Sequence, residues 1–138
     1  TLPVRMRQYC ENALTVAKFL ESSDKIASVR YPALPGNEHY ERAQKYLPLG
    51  TSGVMSIDIK GGRAPAMKFM DSLKLACNEV HVADIRTCVL HPASETHRQL
   101  TDEQLVAAGI EPGMVRISVG LENVEDIIAD LKQALDQI

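Results

Sequence analysis

At 138 residues the chain is long enough for one domain, residues 1–138, with a real hydrophobic core. Charged residues make up 24% and the net charge is -3, so composition gives no electrostatic case for a nucleic-acid or anionic-membrane partner. No apolar run nears membrane-spanning length, and no apolar core follows the N-terminal arginines as a signal peptide would need. Cys10, Cys77 and Cys88 sit in no paired motif, which leads us to expect reduced thiols and a cytoplasmic protein.

Thr1 and Pro3 are suited to a helix start. Met6, Cys10, Ala13, Leu14, Ala17 and Leu20 then recur at helical spacing, which predicts an amphipathic helix to about Ser22. It opens the chain with no strand before it to pack on, and the chain starts without a methionine. We therefore expect a missing N-terminal part. Lys25 to Tyr31 reads as a short strand with Ala27, Val29 and Tyr31 on one face. A proline-rich turn follows, then a short helix capped by Asn37 with Tyr40, Ala43 and Leu47 inward. Val54 to Ile59 alternates like a strand, and Gly61-Gly62 breaks it. A helix is predicted from Arg63 to Ala76, with Pro65 tolerated in its first turn.

Val80 to Val82 is a candidate short extended piece, and Arg86 to Leu90 a further strand. The polar loop His91 to His97 leads to a short helix, for which Thr101 and Gln104 form a capping box. Gly109 and Ile110 match a Schellman ending. After Pro112-Gly113 comes a strand with two faces. Val115, Ile117, Val119 and Leu121 are apolar, while Met114, Arg116, Ser118 and Gly120 lie opposite. Asn123 caps the last helix, whose inner stripe is Val124, Ile127, Ile128, Leu131, Leu135 and Ile138. Helices and strands thus alternate, but the strands are half-polar, whereas buried parallel strands read as apolar runs. The expected fold is α+β, a mostly antiparallel sheet of about four strands with helices packed on one face.

Arg116 is the residue of interest. A planar, permanently charged fork in mid-strand, beside small neighbours, suits a carboxylate or phosphate. An ordinary solvent-facing arginine on a half-exposed sheet would give the same pattern. His81, His91, His97 and Cys88 lack metal-ligand spacing, and Pro92 breaks any helix between the last two histidines, so we expect no metal centre. Lys60-Gly61-Gly62 lacks the spacing of a phosphate loop, and Ser94 lacks the elbow of a catalytic serine.

Several segments together resemble the C-terminal domain of the Cys/Met-metabolism family of pyridoxal-phosphate enzymes. They are Arg5 to Ala13, Val29 to Leu34, Lys60-Gly61-Gly62 with Phe69 and Leu73 to Leu75, His91 to Ser94 with Thr96-His97, and Arg116 to Glu122. The resemblance runs in order along essentially the whole chain. It implies the small C-terminal domain of a fold-type I enzyme, with a larger N-terminal domain holding pyridoxal phosphate on a lysine. That larger domain would be a partner of this one, in a homo-oligomer. The resemblance also implies that Arg116 receives the α-carboxylate of an amino-acid substrate, with Thr96 and His81 lining the same pocket. Position 81 more often holds Ser or Asn in that family, so His81 departs from its pattern, as does Glu95. The segment from Thr101 to Gln137 is most similar to the branch that makes homocysteine from O-acetylhomoserine and sulfide. Relatives that make cystathionine, or eliminate from cystathionine or methionine, share these motifs. No lysine here sits in a Schiff-base motif, so the chain is expected to carry no catalytic residue of its own, to bind no cofactor, and to be inactive alone. An independent, non-catalytic binding module is the alternative of another class.

Overall fold

The computed structural model describes residues 1–138. Its elements are α1 (Leu2–Glu21), β1 (Ile26–Arg30), α2 (Tyr40–Tyr46), β2 (Val54–Ile59), α3 (Arg63–Ser72), β3 (Cys77–Asn78), β4 (Cys88–Leu90), α4 (Asp102–Ala107), β5 (Met114–Ser118) and α5 (Val124–Leu135). The strands form one sheet in the order β1-β2-β5-β4-β3. All pairs are antiparallel except β3 with β4. The α+β class therefore stands, with two adjustments. There are five strands rather than four, and the extra one is the short Cys77–Asn78, not Val80 to Val82. The third helix ends at Ser72, earlier than its apolar spacing predicts, because the carboxylate of Asp130 accepts the backbone N–H groups of Lys74, Leu75 and Ala76 at 2.9 Å each. With those donors taken, the chain leaves the helix and enters β3.

Strand alternation decides what each face does. Met55, Ile57 and Ile59 of β2, Val115 and Ile117 of β5, and Val89 of β4 point into one apolar core. Ala13, Val16, Ala17 and Leu20 of α1, Ala66, Phe69 and Met70 of α3, and Ile127, Leu131, Ala134 and Leu135 of α5 close it. The buried stripe of α1 is rotated from the predicted one. Tyr9, Asn12 and Val16 are buried, whereas Met6 is exposed. Asn12 is inward because its amide donates to the carbonyls of Gly120 and Glu122, at 3.0 Å each. Strand β1 carries a register shift between Ile26 and Ser28, so Ile26 is buried and Ala27 exposed.

The local signals behave as their chemistry requires. Thr101 and Gln104 close the capping box of α4. Gly109 adopts φ +77°, and Ile110 N–H donates to Leu105 at 2.9 Å. Asn123 accepts from Glu125 N–H at the start of α5. Asn37 instead turns the chain by accepting from His39 N–H, and α2 begins at Tyr40 with only Ala43 buried.

Candidate functional site

The second face of the sheet carries the polar residues. Arg30, Ser56 and Arg116 are register partners across β1, β2 and β5, and Leu90 of β4 pairs with Arg116 on the other side. They form one row along the floor of an open groove of about 590 Å³. Val54 and Met114 add apolar floor, and Pro92, Thr96 and His97 form a wall. That volume falls within the range of small-molecule sites.

Arg116 is half-buried in mid-floor. Its Nη2 donates to the Val80 carbonyl at 2.7 Å, and its Nε is buried with no hydrogen-bond partner. It makes no ion pair. Arg30, by contrast, is paired with Asp58 at 2.8 Å, Arg63 with Asp102 at 2.6 Å, and Arg86 with Glu79 at 3.0 Å. A delocalised cation half out of water with no anionic partner attracts a planar anion.

Two loops lie beside this arginine: one accepts its hydrogen bond at Val80, the other lines the groove. The first runs from Glu79 to Thr87. Ala83 N–H donates to Ser118 Oγ at 3.1 Å, and Tyr9 Oη donates to the Ala83 carbonyl at 3.2 Å. Ser118 and Gly120 therefore do not clear space beside Arg116, as their size alone suggests. They let this loop lie against β5. A Cβ on Gly120 would come within 2.5 Å of the Ile85 carbonyl oxygen. Glu122 fixes the far end of the loop, accepting from Thr87 N–H at 2.6 Å and Thr87 Oγ1 at 2.9 Å.

The second loop, His91 to Leu100, presents Thr96 and His97. His91 is fully buried; its Nε2 meets the Pro112 carbonyl and its Nδ1 meets Ser94 Oγ, both at 2.8 Å. The carbonyl can only accept, so Nε2 carries the proton and Nδ1 accepts from the serine. Burial pushes the His91 pKa down. Arg63 ties the loop to α3 and α4 by donating to the Ala93 carbonyl and pairing with Asp102. Thr96 Oγ1 and His97 Nδ1 are hydrogen-bonded at 2.9 Å.

The structure thus brings Arg116 and Thr96 into one groove and places His81 outside its lining. The side chain of His81 is turned to Glu79 at 2.7 Å and Asp84 at 3.6 Å, next to the Val80 carbonyl that holds Arg116. Glu79, His81, Asp84 and Cys88 offer ligand atoms within 4.8 Å of one another, which their sequence spacing does not suggest. Arg86 is the cation that Glu79 and Asp84 already hold, at 3.0 and 3.4 Å. Its backbone N–H and guanidinium keep the Asp84 carboxyl below its usual range. Burial, then the nearby Asp84 and Glu79 carboxylates, push the Cys88 thiol up. Arg30 and Ser56 are groove residues that sequence reading missed, and His97, singled out in the resembling loop, has no groove role in that reading. The register of β1, β2 and β5 is the signal for the first two.

The family model described as Cys/Met metabolism PLP-dependent enzyme matches residues 1–136. The chain belongs to that family. Over its whole length it is 45% identical to O-acetyl-L-homoserine sulfhydrylase of Leptospira meyeri, covering 31% of that protein. It is 46% identical to L-methionine gamma-lyase of Porphyromonas gingivalis, covering 34% of it. A crystal structure from Campylobacter jejuni named as an O-acetylhomoserine (thiol)-lyase superposes with a TM-score of 0.90 at 39% identity, over 99% of this chain and 32% of that one. This chain thus spans about a third of the length of the relatives it matches.

The Cys/Met-metabolism family is pyridoxal-phosphate-dependent. In the Campylobacter structure the pyridoxyl-lysine lies in the part of the chain outside the match. The residues here agree with that placement. No lysine lines the Arg116 groove, so its donor set does not fit a Schiff-base cofactor. The arginine of the groove left without an ion pair is Arg116. No helix is long and apolar enough to cross a membrane.

Proposed function

We propose that this chain is the substrate-clamping C-terminal domain of an O-acetylhomoserine sulfhydrylase, which makes homocysteine from O-acetylhomoserine and sulfide. One observation carries the reading. Arg116 sits on the groove floor without a carboxylate partner in the chain, with its buried Nε unsatisfied. A substrate α-carboxylate would give this unpaired guanidinium its counterion.

The Val80 carbonyl holds one edge of the guanidinium, so the fork is oriented before substrate arrives. Thr96 adds a hydroxyl on the groove wall. Fixing the carboxylate fixes the direction of the α-amine, which is the amino acid's handle on the cofactor. Carbanion chemistry belongs to that cofactor, held by a larger N-terminal domain of the full-length homo-oligomeric protein. This chain contributes binding and orientation and is inactive alone. His81, outside the groove lining, would act only through its own loop, where it faces Glu79 and Asp84.

Methionine gamma-lyase chemistry is the second reading, favoured by the 46% identity to the Porphyromonas relative. Full-length protein assayed with O-acetylhomoserine and sulfide, and separately with methionine, separates the two. Sulfide-dependent homocysteine formation without ketoacid release is the expected result. Ketoacid released from methionine, with no sulfide-dependent product, establishes the lyase instead.

A further inference from the structure

The geometry points to His97 as the positioning residue that frees the Thr96 hydroxyl proton for the substrate carboxylate. This rests on the reading of Arg116 and Thr96 as carboxylate donors. Both Thr96 and His97 line the same groove as Arg116, and Thr96 Oγ1 lies 2.9 Å from His97 Nδ1. A threonine hydroxyl has one proton to give and two lone pairs to receive with. If that proton goes to an unprotonated Nδ1, Thr96 shows only lone pairs to the groove, and these repel a carboxylate. If Nδ1 carries its own proton, it donates to Oγ1, and the threonine proton is free to point at the ligand.

Imidazole offers both tautomers at small cost, since Nδ1 and Nε2 can each hold the proton. An incoming carboxylate therefore selects the Nδ1–H form. The bond order in the occupied groove runs from His97 Nδ1–H to Thr96 Oγ1, and from Thr96 O–H to the carboxylate. No proton leaves the protein and no covalent bond changes. His97 never touches the ligand in this arrangement. It decides whether Thr96 is a donor or an acceptor.

The contrast with His91 shows why this pair is adaptable. The His91 ring is fully buried with both nitrogens committed, and the Pro112 carbonyl dictates its tautomer. His97 is half-exposed, and its neighbour is a hydroxyl that can face either way.

The test uses full-length holoenzyme and five variants: His97→Leu, His97→Asn, Thr96→Val, the His97→Leu/Thr96→Val double and Arg116→Lys. Asparagine carries an amide N–H near the place of Nδ1, whereas leucine fills similar space with no donor. We expect His97→Leu to raise KM for the amino-acid substrate about tenfold, the scale of one charge-assisted hydrogen bond, with kcat changed far less. His97→Asn should stay within about twofold of the parent, and the double variant should match Thr96→Val alone, since the two residues act as one donor. Melting temperatures serve as the folding control.

Additive losses in the double variant overturn the inference, as does an Asn variant as impaired as Leu, or a fall in kcat with KM unchanged. If Arg116→Lys and Thr96→Val raise KM while His97→Leu does not, the carboxylate reading stands and only the role of His97 falls. If none of the variants changes KM, both fall together.

Discussion

Arg116 donates to the carbonyl of Val80, 36 residues earlier in the chain, at 2.7 Å. This one bond joins the middle of β5 to a loop that no local sequence signal ties to it. It also sets which edge of the guanidinium is spoken for. The loop is held by Tyr9 and Ser118 at Ala83 and by Glu122 at Thr87, so three separate segments converge on the position of one cation.

The loop pays for this position at Ala83, whose φ is +59°. A left-handed conformation costs a side-chain-bearing residue about 1–2 kcal/mol, and glycine avoids it at an entropic cost of about 0.5–1 kcal/mol. Ala83→Gly should therefore stabilise the fold by about 0.5–1 kcal/mol. Both hydrogen bonds at Ala83 use backbone atoms and survive the change. Chemical denaturation of parent and variant measures this, and a destabilised variant would show that the conformation is not strained.

Asp130 is the structural pin of the α3–β3 corner. It is buried, and accepts three backbone N–H groups at 2.9 Å and the Gln133 amide at 3.1 Å. Asp130→Ala leaves those donors without acceptors in a site water barely reaches, which should cost about 3 kcal/mol. Asp130→Asn keeps one oxygen and should cost roughly half of that. Equal losses in urea melts of the two variants would mean that side-chain volume, not hydrogen bonding, is what matters there.

His91 links stability to pH. Its pKa is lowered from 6.5 by burial, so the folded protein binds its proton more weakly than the unfolded chain. Its contribution is fully present above pH 6.5 and is lost progressively as pH falls below that value toward the folded pKa. Denaturant melts between pH 7.5 and 5 should show falling stability in the parent. His91→Leu should start lower, having orphaned the Pro112 carbonyl and Ser94, but decline less steeply. An unchanged slope would assign the pH dependence to other groups.

Much of the fold was legible because its signals are local. The Thr101–Gln104 box, the Gly109–Ile110 ending and the Asn123 cap each need only a few adjacent residues, and each forms as read. The β5 alternation was also sufficient to put Arg116 opposite the core. What could not be read depends on partners distant in sequence. Asn12 is buried on α1 only because Gly120 and Glu122 present carbonyls to it. The early end of α3 depends on Asp130, more than fifty residues away. Arg30 and Ser56 join the groove only through strand register, and of Thr96 and His81, paired by resemblance, only Thr96 lines the groove while His81 turns to Glu79.

The central claim is that Arg116 receives the substrate carboxylate, and steady-state kinetics of Arg116→Ala and Arg116→Lys in the full-length protein test it most directly. A bidentate arginine–carboxylate pair in a closed site contributes about 2–4 kcal/mol, so Arg116→Ala should lower kcat/KM roughly a hundredfold or more. Lysine keeps the charge but loses the fork, and should remain severely impaired. Melting temperatures should stay near that of the parent, because the side chain faces away from the core. Near-normal kcat/KM in Arg116→Ala, with or without a shift in melting temperature, would contradict the account.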